Sequence, residues 1–225
     1  MFSWLRDTQS LWAKAIFALA GGLLLASAFP AFNFAPGAVL GVILSLLSIN
    51  KMGFYKSLLL GFIAGFAFYG LVLIWLTTYL GPIPWLALCI AEALFFAISV
   101  AVISLVWRWL ETLKLGRLKH LTIAICIGAV YTAREFFAGR FPYGGLPWAR
   151  LGLSQVENSL AKWVWALDIA GFSWLLVTLS ALLTLRFLNP LPSGSGLKLR
   201  MSSWTPVISS WVIIFALSAF VPLPK

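Results

Sequence analysis

The chain has 225 residues, of which 62% are hydrophobic and 10% charged, and it carries 12 Trp and 18 Phe. A water-soluble fold of this size has too little interior to hide that much apolar surface, so lipid is the solvent for most of it. The formal charge of +10 does not point to nucleic acid: the basic residues stand between apolar runs instead of lining one polar face, as cytoplasmic flanks beside anionic headgroups do.

In chain order, Arg6 lies before, and Lys14 at the start of, a first apolar span near 11–29. Ala26-Ser27-Ala28 mimics a signal-peptide cleavage site, but the further spans downstream favour a retained first helix. An uncharged break from Pro30 to Pro36 leads to a short second span, 36–52, and Lys51 and Lys56 mark the next turn. The third, 57–77, contains Gly61-x-x-x-Gly65, a spacing that lets another helix approach closely. Trp75 and Tyr79 close it at an interface. The fourth, 84–107, holds Glu92 about two turns inside, where an ionised group must be paired or wetted. A functional carboxylate and a buried pair with an arginine both satisfy that requirement.

Arg108, Glu111, Lys114, Arg117, Lys119 and His120 form a charged turn, with the histidine read as part of a solvated face. A fifth span, 121–137, precedes an interrupted stretch at 138–162. The wider run Tyr131–Gln155 gathers Arg134, Glu135, Arg140 and Arg150 among Phe136, Phe137, Phe141, Tyr143 and Trp148, broken by glycines, Pro142 and Pro147. It reads as a surface loop with rings at headgroup level and guanidinium groups toward water or phosphate, and a plain aromatic anchoring belt is the simpler alternative. A sixth span, 163–185, contains Asp168, and a seventh occupies 204–220. Cys89 and Cys126 fall in apolar runs and read as buried small side chains, and no metal site is expected.

The expected fold is thus all-α and polytopic, with about seven transmembrane helices. Most Lys and Arg residues flank the N-terminal side, so that side is expected in the cytoplasm, with the C-terminus and the aromatic-arginine loop outside. Glu92, Glu135 and Asp168 would then share a polar pocket in the outer half of the bundle.

The sequence resembles the bacterial apolipoprotein N-acyltransferases over nearly its whole length. The likeness rests on Ala28-Phe29-Pro30-x-Phe32-Asn33-Phe34, on Gly61-Phe62-x-x-Gly65-Phe66-x-Phe68-x-Gly70 with Trp75, and on Glu135, Gly139 and Phe141-Pro142. Leu146-Pro147-Trp148-x-x-Leu151-Gly152-x-Ser154-Gln155 is its most specific string. The resemblance implies a multi-pass protein of the bacterial cell (inner) membrane that passes an acyl chain from a phospholipid donor to the N-terminal amine of a diacylated apolipoprotein. No cofactor is implied. In that family a nitrilase-like domain following the membrane spans carries a Cys nucleophile, a Glu base and a Lys at the oxyanion. The chain ends where that domain would begin, so 1–225 is expected to be the membrane half alone and inactive by itself.

Trp75, Glu92, Arg134, Glu135, Tyr143, Pro147, Trp148, Arg150 and Gln155 are the candidate substrate-binding residues, and none is assigned to catalysis. A partner is expected in a separately encoded nitrilase-like domain or a glycosyltransferase, and nucleic acid is not. A non-catalytic scaffold for a polyprenol-phosphate-mannose synthase and a small transporter built on Glu92 stand as alternatives.

Overall fold

A computed structural model of the chain describes residues 10–157 and 160–189, and all regular structure among them is helical. The expected span at 204–220 lies outside the described residues. In chain order the helices are α1 (Leu11–Ser27), α2 (Pro36–Ile49), α3 (Phe54–Val72), the short α4 (Leu76–Leu80), α5 (Pro82–Thr112), α6 (Lys119–Ala138) and α7 (Ala161–Leu188). Pro36 and Pro82 each open a helix, where the missing N–H costs no hydrogen bond.

Four helices, α3, α5, α6 and α7, are long and apolar enough to cross a bilayer, while α1 and α2 are shorter apolar helices. With 14 residues α2 rises only about 21 Å, whereas the 31 residues of α5 rise about 46 Å, beyond a hydrocarbon core of about 30 Å. The chain is a polytopic membrane protein.

Six helices close into a ring. Going round it, α5 packs on α3, α3 on α1, α1 on α2, α2 on α7, α7 on α6, and α6 returns to α5. The axis of the ring is apolar: Leu25, Leu46, Phe96, Ile103, Ile127 and Val177 meet there from five helices. Glycines permit the tightest of these contacts. A Cβ on Gly61 would lie 2.9 Å from the Ala97 Cα, and one on Gly65 would lie 2.8 Å from the Phe96 Cβ. The Gly61-x-x-x-Gly65 spacing is therefore the seat of α5 on α3.

Three elements depart from the expected spans. The third helix stops at Val72, because the Gly70 carbonyl takes the Trp85 indole N–H (3.3 Å) and the Ile74 N–H turns to the Leu71 carbonyl (3.2 Å). The fourth extends to Thr112, where the Trp107 indole bonds Glu111 (2.9 Å) and Lys119 Nζ bonds the Glu111 carbonyl (2.6 Å). Within α7, Asp168 adopts φ 60° and ψ 167°, which divides the helix into two segments.

Successive spans alternate in direction. Lys51, Lys56, Arg108, Lys114, Lys119 and Arg186 thus gather at one end, the basic end, and Arg140, Arg150 and Lys162 at the other, the loop end. Lys14, expected as a flanking surface charge, is instead fully buried, and its ammonium donates to the Leu47 carbonyl at 2.6 Å. That carbonyl belongs to the last turn of α2, whose acceptors lack partners within the helix and attract a cation.

Candidate functional site

At the loop end, α6 runs on to Ala138, so the first third of the stretch Tyr131–Gln155 belongs to the fifth span and the interrupted part starts beyond it. Beyond Ala138 the chain turns through a cis Phe141–Pro142 bond, then forms two 3-10 turns, Pro147–Ala149 and Leu151–Gln155. The Leu146 N–H returns to the Ala138 carbonyl (2.8 Å), which fixes the base of the turn to the helix end.

The Arg134 guanidinium, expected to face water or phosphate, is instead turned from α6 into the bundle, and the residue is 5% exposed. Its Nη1 donates to the Tyr69 hydroxyl (2.6 Å) and its Nη2 reaches Glu135 Oε1 (3.5 Å). The guanidinium also lies over the rings of Tyr131 (4.5 Å) and Phe96 (5.0 Å). Such stacking suits a weakly hydrated planar cation in an apolar surround. Glu92 completes the group from α5, buried near Arg134 and Tyr69. Four buried polar atoms in this group, Glu92 Oε2, Tyr131 Oη, Arg134 Nε and Glu135 Oε2, have no hydrogen-bond partner.

Glu135 looks the other way as well. Its Oε1 accepts the Leu151 N–H at 2.7 Å, while the neighbouring Gly152 N–H goes to Ser173 Oγ on α7 at 2.8 Å. Two successive backbone donors of the loop are thus satisfied by side chains from two helices. Gly152 is required there, since a Cβ would lie 2.7 Å from the Ile169 carbonyl oxygen. A third anchor is Gln155, 2% exposed, whose amide donates to the Ala35 carbonyl (3.2 Å) and to Ser154 Oγ (2.9 Å). This joins the two motifs singled out in the sequence, one after α1 and one after α6.

The outward side of the loop is aromatic and basic. Trp148 is 61% exposed and Trp75, just past the end of α3, is 41% exposed; their rings lie 5.8 Å apart. Tyr79 stands against Trp75 at 6.0 Å, and Tyr143 projects fully from the turn. Arg150 is half-buried over Gly139, close enough that a Cβ there would lie 2.7 Å from its Nη2, and its Nε has no hydrogen-bond partner. Arg140 lies over the Phe136 ring at 3.6 Å.

The candidate residues therefore separate into two groups. Glu92, Arg134, Glu135 and Gln155 turn inward onto protein, whereas Trp75, Tyr143 and Trp148 face out and Arg150 stands between, with Pro147 opening the turn beneath them. Asp168 does not join the buried carboxylates: its side chain is exposed at the break in α7. Cys89 is buried against the Tyr69 carbonyl (Sγ to O 3.5 Å), and Cys126 is half-buried. Sequence reasoning passed over Tyr69, Ser173, Tyr131 and Phe96. Of these only Tyr69, a lone hydroxyl in an apolar run, stood out from its neighbours.

A closed ring of apolar helices with a buried carboxylate-guanidinium group under an aromatic-basic loop defines a class: an integral membrane protein built around one specialised end. A family model, the apolipoprotein N-acyltransferase N-terminal domain, matches residues 21–182. The chain belongs to that family. It is 29% identical over 220 residues to the apolipoprotein N-acyltransferase of Pseudomonas putida and 30% identical over 222 residues to that of Azotobacter vinelandii, covering 88% of this chain and 42% of the relative in each case. A 100-residue segment is 36% identical to the enzyme of Mycolicibacterium smegmatis, covering 41% of this chain and 16% of the relative. The chain thus spans less than half the length of the curated relatives it matches.

Proposed function

We propose that this chain is the membrane part of an apolipoprotein N-acyltransferase, in which the loop end seats a phospholipid acyl donor and a diacylated apolipoprotein at the outer face of the bacterial inner membrane. The observation that carries this reading is Arg150, a half-buried guanidinium two residues along the loop from Trp148, whose exposed ring lies 5.8 Å from that of Trp75. A planar cation at this depth suits a lipid phosphate, and exposed flat rings at the same end of the bundle suit the upper part of an acyl chain. Bringing two lipid-anchored reactants to one point supplies several kcal/mol of a reaction barrier without any chemical group acting.

The acyl-transfer step itself is assigned to groups other than the two cysteines, since Cys89 is sealed under the Tyr69 carbonyl and Cys126 packs in the bundle. Family likeness points to a nitrilase-like domain for that step, whether continuous with this chain or a separate partner. The burial of Glu92 beside Arg134 favours a structural role for this carboxylate over ion transport.

Native mass spectrometry of the detergent-extracted protein tests the reading. Arg150→Ala should retain less co-purifying phospholipid than Lys162→Ala, and equal retention would overturn it. The orientation has its own test. A cysteine at Tyr143 should react with a membrane-impermeant maleimide in intact cells, and labelling only after lysis would place the loop on the cytoplasmic side.

A further inference from the structure

Trp75 and Trp148 come from distant parts of the chain, yet a short series of buried polar contacts runs beneath both. Tyr69 lies on the last turns of α3, and its carbonyl caps the helix by accepting the Leu73 N–H (2.9 Å) just before Trp75. From the Tyr69 hydroxyl the series passes to Arg134 (2.6 Å), to Glu135 Oε1 (3.5 Å) and to the Leu151 N–H (2.7 Å). Trp148 is bracketed between that last contact and the Leu146 N–H to Ala138 carbonyl bond (2.8 Å), and the intervening Ala149 is buried. Both indoles are therefore joined through short stretches of backbone to one buried polar group. Glu92, buried on α5, is a second carboxylate near Arg134.

We propose that Tyr69, Arg134 and Glu135 act together as a positioning relay that sets the separation of Trp75 and Trp148, the aromatic pair bordering the lipid site at Arg150. This rests on the reading of that site as a lipid seat. The three are positioning residues: each is buried, and each acts on lipid only through the rings above. The relay couples α3 to the loop after α6, so movement of either element would be felt by both Trp75 and Trp148. Direct hydrogen bonds among buried, partly charged groups are the means, since they have few alternative geometries in an apolar surround.

Fluorine NMR of the full chain in lipid nanodiscs, with 5-fluorotryptophan incorporated, tests the relay. Trp75→Phe and Trp148→Phe assign the two resonances. Tyr69→Phe and Glu135→Gln each remove one link while keeping the side-chain shape, so either serves if the other fails to fold. In both variants the Trp75 and Trp148 resonances should shift together, while buried Trp107 at the basic end should not. Should Tyr69→Phe move only Trp75 and Glu135→Gln only Trp148, the contacts are local and the relay is overturned. Unmoved resonances in both folded variants would overturn it equally. Lipid retention measured on the same proteins separates the two ideas: shifted tryptophans with unchanged retention uphold the relay and count against the lipid seat.

Discussion

The Arg134 guanidinium donates to the Tyr69 hydroxyl at 2.6 Å, across 65 residues of sequence and between two helices that are not neighbours in the ring. Glu135 reaches the same guanidinium at 3.5 Å, and Glu92 is buried near it on α5.

Removing that cation should therefore be costly. Arg134→Ala breaks the buried pair with Glu135 and the bond to Tyr69, and is expected to destabilise the protein by about 3–5 kcal/mol. Arg134→Lys should recover only part of this, because an ammonium cannot reproduce the fork that reaches Tyr69 and Glu135 together. Thermal unfolding of the detergent-solubilised variants, followed by fluorescence-detected gel filtration, reads the order Ala below Lys below the parent.

Helix packing makes a second prediction. Gly65→Val drives side-chain atoms into Phe96 and should destabilise by about 2 kcal/mol or more. Gly70→Ala, whose nearest neighbour would be the Trp85 ring at 4.0 Å, should be tolerated. The same unfolding assay separates them, and equal losses would deny the close approach of α5.

At Asp168 the expected sign reverses. With φ 60° and ψ 167° this residue occupies backbone space open almost solely to glycine, at a cost of about 1–3 kcal/mol. Asp168→Gly should raise the unfolding midpoint, whereas Asp168→Ala should not, since alanine keeps the Cβ that causes the conflict. That asymmetry distinguishes backbone relief from loss of a charge.

Lys14 gives a chemical test of burial. Its ammonium is enclosed and bound to the Leu47 carbonyl, while Lys51 and Lys56 stand exposed at the same end. Treatment of the folded protein with an amine-reactive ester, followed by peptide mass mapping, should modify Lys51 and Lys56 and leave Lys14 intact. Denaturation beforehand should make all three react.

Much of this architecture was legible in the one-dimensional pattern. Apolar runs long enough for a bilayer marked the spans, proline and glycine marked their ends, and Gly61 and Gly65 marked the face where a neighbouring helix would sit. The string Leu146–Gln155 announced a specialised loop because such residues have no reason to be together in a hydrocarbon-spanning helix.

The rotation of each helix about its own axis was not legible, and that rotation decides the site. In water the polar stripe of a helix shows which side faces out. In lipid both the bundle face and the outer face are apolar, so the sequence around Arg134 carried no sign that its side chain points inward to Tyr69 instead of outward to headgroups. The same ambiguity hid the burial of Lys14, whose acceptor at Leu47 is 33 residues away. It also grouped Asp168 with Glu92 and Glu135, although the break in α7 leaves it exposed. Apolar length and chain breaks, set by the amino acids alone, determined that this protein spans a membrane in an alternating bundle; which polar groups meet inside it was decided by helix packing, because only assembled neighbours distinguish one greasy face from another.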